Sequence, residues 1–289
     1  MEKRKSRIVK GKGGIILTNK ELPDNTLSPS QINTLESCEF KWFQRYVEGI
    51  KIPPDVNLMF GSSIDDAFTN NYYQKIESKV DMPKSDILDV FSTAFETRKL
   101  ESVIEPGTNL GKLKEMGYGL LDASYLALMK QVKPVNVQVE YNVKFPGVNW
   151  VLMAVADVEE KFSTRDVKTT ARTPSKVGNR YVVSPYYRFQ LTTYSIARQF
   201  TEKKQRFDLY DDFLVKTKTP KIVSVKLPPL TDRDIKFFQK KTEQSFAKME
   251  ALRNGVIPPG TNRDHFLCSR SKCGFWTICE KANGGRVRD

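Results

Sequence analysis

The chain has 289 residues, 47 Lys+Arg against 34 Asp+Glu and a formal net charge of +13, enough length for a substantial core and enough positive charge to point to a polyanionic partner, nucleic acid first. Its single histidine, His265, excludes a histidine-rich zinc hydrolase site. No apolar run approaches the roughly 20 residues that span a bilayer, so no membrane partner is expected.

Residues 1–26 read as a flexible basic arm. The first 20 residues hold seven Lys/Arg against Glu2, with Gly11, Gly13 and Gly14 among them. Such an arm either tracks phosphates or only solubilises the chain. It lacks the apolar segment of a signal peptide, and a cytoplasmic protein is expected. Residues 27–283 then read as one domain, followed by a tail over 284–289. Ser28-Pro29-Ser30-Gln31 starts a helix, with Ser28 as N-cap and Pro29 in the first turn. Ile32, Leu35, Trp42, Phe43 and Tyr46 share its apolar face, Cys38 lies within it, and Gly49 and Pro53-Pro54 end it. A second helix is expected from about Phe60-Gly61, with Ile64, Ala67, Phe68, Tyr72 and Ile76 buried. Asp65 and Asp66 fall in its first turn, where the helix dipole by itself favours carboxylates. Residues 84–100 and 109–130 read as two more helices without chemical signature, a helical insertion over about 80–132.

Residues 135–145 alternate apolar and polar as a half-buried strand does, and Pro146-Gly147 turns the chain back. The next apolar run, Val151 to Ala156, carries Asp157 at its end. A second short run delivers Asp166 and, two residues on, Lys168, which alternation puts on the same face. If the runs pair, two carboxylates and an ammonium converge. Two anionic oxygen ligands suit a hard cation such as Mg2+ or Mn2+, and a lysine beside it can orient a water or stabilise phosphorane charge. Taken alone, Asp-x-Lys is equally a surface ion pair. Glu140 faces away from the apolar set of its strand, toward the same region. The surroundings favour phosphate: residues 161–180 hold Lys161, Arg165, Lys168, Arg172, Lys176 and Arg180 against Asp166. Residues 172–181 form a basic loop, and Arg165, Arg172, Lys176 and Arg180 are the candidate nucleic-acid contacts.

Pro185 starts a helix in which Gln190 and Tyr194, four apart, share a face. Residues 208–216 and 221–227 read as a hairpin. Thr231-x-x-Asp234 caps a long helix, which Gly255 and Pro258-Pro259-Gly260 stop. Cys268, Cys273 and Cys279 then fall within twelve residues, while Cys38 lies 230 residues upstream. Four thiolates suit zinc or an iron–sulfur cluster. The 1+3 arrangement would clasp the first helix to residues 264–283.

In order along the chain these pieces resemble the PD-(D/E)xK nuclease superfamily. The branch they are most similar to is the RecB-like one with an iron–sulfur cluster, which includes the AddB nuclease domain, CRISPR-associated RecB-like nucleases and many phage exonucleases. The resemblance spans about residues 27–283. It rests on Ser28-x-Ser30 leading into Cys38-x-x-Lys41-Trp42-Phe43-x-x-Tyr46, on Gly61 followed by Asp65, on Ala156-Asp157, on Asp166-Val167-Lys168-Thr169, on Gln190-Leu191-x-x-Tyr194 and on the closing cysteines. It implies a mixed α/β fold with a central mixed sheet flanked by helices. It also implies a Mg2+- or Mn2+-dependent DNA nuclease, an exonuclease before an endonuclease, in bacterial or phage DNA recombination and repair, with a recombination or helicase partner. Asp65, Asp157 and Asp166 would ligate the metal, with Asp157, Asp166, Lys168, Gln190 and Tyr194 catalytic. Cys38, Cys268, Cys273 and Cys279 would hold a 4Fe-4S cluster, zinc being the alternative. Two departures stand out: the branch usually has histidine where Asp65 stands, and its cysteine trio is usually spaced x2 then x5, not x4 then x5. The rival readings are a catalytically silent nucleic-acid-binding or scaffold subunit on the same fold and a zinc-stabilised DNA-binding protein.

Overall fold

A computed structural model describes residues 25–144, 147–203 and 207–284. Most of the basic arm, the Pro146 turn and most of the tail lie outside the described residues. Thr26–Leu27, taken above as the end of the arm and the first residue of the domain, is a short buried strand, β1. Ser28 does cap the next helix, α1 (Pro29–Ser37), its Oγ accepting from the Gln31 N–H at 3.2 Å. Cys38 does not continue that helix. Its extended backbone (φ −171°, ψ 117°) separates α1 from α2 (Glu39–Tyr46). The apolar period survives across the break, which is why one helix was expected.

The following helix, α3 (Val56–Ser78), begins before Phe60, where the Asp55 carboxylate caps the N–H groups of Asn57 and Leu58 at 2.9 and 2.8 Å. Asp65 and Asp66 are therefore well inside the helix, beyond the reach of its dipole. The expected pair follows as α4 (Lys84–Lys99) and α5 (Leu110–Ser124), the latter running into a π-helical turn, Tyr125–Met129. Gly117 lets α5 approach α4: a Cβ there would stand 2.1 Å from a ring carbon of the fully buried Phe91.

Three strands form a meander: β2 (Pro134–Lys144), β3 (Val151–Glu160) and β4 (Ser163–Thr170). Asp157 is thus inside β3, not at its end. β2 runs antiparallel along β3, while the opposite edge of β3 is shared. β1 takes Val151 and Leu152 in parallel, and β4 takes Val158 and Glu159 antiparallel. The basic loop contains a two-stranded hairpin, β5 (Lys176–Val177) and β6 (Arg180–Tyr181). Helix α6 (Pro185–Glu202) then crosses back to β7 (Asp208–Val215), which lies parallel to β4 from Ser163↔Asp208 to Thr170↔Val215. A parallel neighbour needs such a crossover. β8 (Lys221–Lys226) closes the edge antiparallel to β7. After it come α7 (Asp232–Arg253), with the Thr231–Asp234 capping box, and the short α8 (Trp276–Ala282).

The result is the expected mixed sheet between helical layers. On one face, Leu27, Ile32, Trp42, Ala156, Leu191 and Phe238 pack α1, α2, α6 and α7 against the strands. On the other, Phe60, Phe68, Phe91, Leu121, Val158 and Leu214 pack α3, α4 and α5. No helix among the described residues is long and apolar enough to cross a membrane.

Candidate active site

β3 and β4 pair at Val158↔Arg165 and Glu159↔Thr164 and then part. Where they part, the backbone N–H of Val167 has no strand to bond. The Asp157 carboxylate accepts from it at 3.2 Å. Asp157 thereby closes the mouth of the split, with Asp166 next to Val167 on the other side. Asp166 is almost wholly buried. Its Oδ1 accepts from Gln190 Nε2 at 3.2 Å, and its Oδ2 forms an ion pair with Lys168 Nζ at 2.5 Å. Gln190 also donates to the Tyr194 hydroxyl. The i, i+4 pair of α6, on one helix face as its spacing predicts, thus braces Asp166 from the sheet face opposite α3.

Asp65 comes to the same place from α3. Gly61, one turn earlier, brings the helix close to β4: a Cβ there would stand 3.2 Å from Thr169 Oγ1. The neighbouring Asp66 points away, holding Arg98 Nε and Nη2 of α4 at 3.1 and 2.7 Å. Position 65, not 66, therefore belongs to the cluster.

Charge crowding marks the site. Burial, and after it the carboxylates of Asp66 and Asp166, pushes Asp65 up to about 6. Burial and the Asp166 charge hold Asp157 well above the usual carboxylate range. For Lys168, burial works against the charged form, but Asp166 and Asp157 outweigh it and keep the ammonium firmly protonated. Without a cation, this crowding favours protons on Asp65 and Asp157; a divalent cation would take their place and relieve it. The hard, anionic oxygen set fits Mg2+ or Mn2+. Among the described residues no three Asp, Glu, His or Cys side chains stand together at metal-ligand geometry; Asp157 is turned to Val167 and Asp166 to Lys168 and Gln190.

Sequence reading missed Asp211. It sits on β7 directly beside Asp166, completely buried, and both of its carboxylate oxygens lack a hydrogen-bond partner among the described residues. Burial and the Asp166 charge push it up to about 8. Its neighbour Asp212 points to the opposite face and is satisfied by Arg165 and Ser224. The only signal was two consecutive acids inside an apolar strand, and their partner strand lies some forty residues away.

The basic set divides. Arg165 is held in ion pairs, its Nε with Glu160 at 2.7 Å and its Nη1 with Asp212 at 3.0 Å, and lies on the α3 side of the sheet. Arg172, Lys176 and Arg180 are exposed beyond the end of β4. Glu140 is exposed and accepts from Asn142 Nδ2 at 2.7 Å.

The cysteines do assemble. Cys38, Cys268, Cys273 and Cys279 line one cavity with Phe40 and Trp276, and none is in a disulfide. The helix break at Cys38 puts its thiol there. Phe40 N–H donates to the Gly260 carbonyl at 2.9 Å, and Gly260 N–H to Glu39 Oε2 at 3.0 Å, fastening α2 to the C-terminal segment. Burial, followed by the charges of the other three cysteines, pushes Cys279 up to about 11. Four crowded thiols in an apolar wall form a soft donor set that fits iron–sulfur or zinc.

Residues 26–280 match the model of a family described as the PD-(D/E)XK nuclease superfamily. No protein of curated function matches the sequence. A similar fold occurs in the crystal structure of an exonuclease candidate from Eubacterium rectale, with a TM-score of 0.60 and 15% identity over 85% of this chain and 87% of that one.

Proposed function

The chain belongs to the PD-(D/E)XK nuclease superfamily, and from that premise we propose that it is a Mg2+- or Mn2+-dependent deoxyribonuclease of the RecB-like branch, acting as an exonuclease. The observation that carries this reading is the Asp166–Lys168 ion pair at the β3–β4 split, with the Asp157 carboxylate on the adjacent Val167 N–H and Asp65 near enough for the Asp166 charge to raise its pKa. These three carboxylates would hold the cation, which when bound supplies Lewis-acid charge at the scissile phosphate.

The side chains divide the remaining work. Asp157 is tethered by the Val167 N–H and Asp166 by Gln190, which keeps both carboxylates beside the split. Lys168 is paired with Asp166 inside the site. Its ammonium orients the attacking water and stabilises negative charge developing on the phosphorane oxygens. Arg172, Lys176 and Arg180 would hold the backbone phosphates of the strand that enters the site. Cleavage would leave 5′-phosphate and 3′-hydroxyl ends, in bacterial or phage DNA recombination and repair beside a helicase or recombination partner. Cys38, Cys268, Cys273 and Cys279 would hold a 4Fe-4S cluster, with zinc as the alternative.

A non-cleaving DNA-binding subunit is the second reading. What favours it is Asp65 standing where the branch has histidine. The two are separated by purified Asp166→Ala and Lys168→Ala proteins. Each should lose degradation of linear DNA by at least about a thousandfold while keeping the wild-type circular dichroism. Retained activity in either variant would falsify the assignment.

A further inference from the structure

Left-handed backbone at a residue other than glycine occurs at Lys79, Gln138 and Lys203. Lys79 and Lys203 are helix C-caps, where that conformation is ordinary. Gln138 is different. It lies in the middle of β2 with φ +50°, in a strand that requires a negative φ.

The consequence is visible in the packing. The register on either side of Gln138 is the same, Val137↔Val158 and Val139↔Ala156, so no residue has been inserted. Strict alternation would then put Val137 and Val139 on one face of the sheet, and Val158 and Ala156 with them. They are instead divided. Val137 and Val158 pack into the α3-side core, whereas Ala156 and Val139 pack on the α6 side. The β2–β3 ribbon therefore changes face at one rung, and that rung is Gln138 opposite Asp157. The Val137 carbonyl accepts from the Tyr73 hydroxyl of α3 at 3.2 Å. The Gln138 side chain crosses to α3 as well. Its Nε2 stands 3.5 Å from both carboxylate oxygens of Asp65 and 3.4 Å from Thr69 Oγ1.

We infer that Gln138 is a positioning residue of the cation site: its left-handed backbone turns Asp157 toward α3, and its side-chain amide holds Asp65 to meet it. The inference rests on the nuclease reading above and deepens it. The two acids come from different elements, a strand and a helix, and no other described side chain donates to both oxygens of Asp65. An amide can do this without adding charge to a site already crowded with carboxylates. Groups that orient a ligand in this way are typically worth about 10- to 100-fold in metal affinity.

Gln138→Gly separates the two roles, because glycine accepts φ +50° without strain but removes the amide. The measurement is Mn2+ alone titrated into the full chain by electron paramagnetic resonance, with the melting temperature recorded alongside. We expect Gln138→Gly to melt at or above the wild-type temperature while binding Mn2+ at least about tenfold more weakly. Gln138→Val, which cannot adopt the left-handed backbone cheaply, should lose both melting temperature and affinity. If Gln138→Gly binds Mn2+ within about twofold of wild type, whatever its melting temperature, the kink is only a feature of the strand and the inference fails. Wild type that binds no Mn2+ would overturn the nuclease reading too; binding by wild type and Gln138→Gly alike overturns this inference alone.

Discussion

Asp211 shows the cost of burying a carboxyl beside Asp166. Its carboxyl is fully buried, unpartnered among the described residues and pushed up to about 8 by burial and by Asp166. An unfolded aspartate releases its proton near pH 4. Between about pH 4 and pH 8 the folded chain therefore holds a proton that the unfolded chain has lost, and stability falls as the pH rises through that window. Asp65, at about 6, adds the same sign over the lower half. The slope reaches at most about 1.4 kcal/mol per pH unit for each such group. Metal-free protein should accordingly melt lower at pH 8 than at pH 5. Asp211→Asn should raise the melting temperature at pH 8 and flatten the upper half of the profile. A profile from pH 5 to 9 that is unchanged in Asp211→Asn would contradict the assignment of that slope. Asp157, Asp166 and Lys168 were legible from the sequence because alternation along two adjacent strands is a local rule. Asp211 and Gln138 were not: one depends on a strand brought alongside by a crossover, the other on a backbone angle that composition does not reveal.

At the scale of elements, the turn between β3 and β4 must be held rigidly if Asp157 and Asp166 are to face each other. Arg198 of α6 does this from the interior. Its Nη1 donates to the Ser163 carbonyl at 2.6 Å and to Thr164 Oγ1 at 3.2 Å, and its Nη2 to the Glu160 carbonyl at 2.8 Å. Its Nε lies 3.5 Å from Glu159 Oε1 and 2.8 Å from Glu202 Oε1. Glu159 is itself buried, with Tyr141 and Asn136 as further donors. Removing the guanidinium strands a buried carboxylate and frees three carbonyl or hydroxyl acceptors. Arg198→Ala should cost about 3–5 kcal/mol, read as a lower midpoint in urea, and Arg198→Lys most of that, since an ammonium cannot reach all partners. A loss below about 1 kcal/mol in Arg198→Ala would show that the turn is held otherwise. Helices and strands were largely legible as elements because their apolar periods are long. Their ends were not: the break at Cys38 keeps the period of α1 running into α2, and Asp55 starts α3 a turn before the glycine that drew attention.

For the whole molecule, the cysteine cavity joins the first helices of the domain to its last. Cys38 approaches from the α1–α2 joint, the other three from the segment after α7, and Lys248 of α7 pairs with Glu39 at 2.7 Å beside them. Protein purified without air should be brown and carry about four iron atoms per chain. Cys279→Ser should be paler and melt lower. A colourless protein with stoichiometric zinc would replace the cluster with the alternative metal and leave the clasp in place. The four cysteines were legible as a group from spacing alone, though their spacing could not separate the two metals, and the soft donor set still admits both.

The central claim is that Asp65, Asp157, Asp166 and Lys168 cut DNA with a divalent cation. It is tested most directly by incubating the wild-type protein with end-labelled linear DNA and with covalently closed circular DNA, each with Mg2+, with Mn2+ and with EDTA. The account predicts that linear DNA is degraded in Mg2+ or Mn2+ and spared in EDTA, while circular DNA survives. Linear DNA that is bound with steep salt dependence, yet remains intact in both metals, would contradict it.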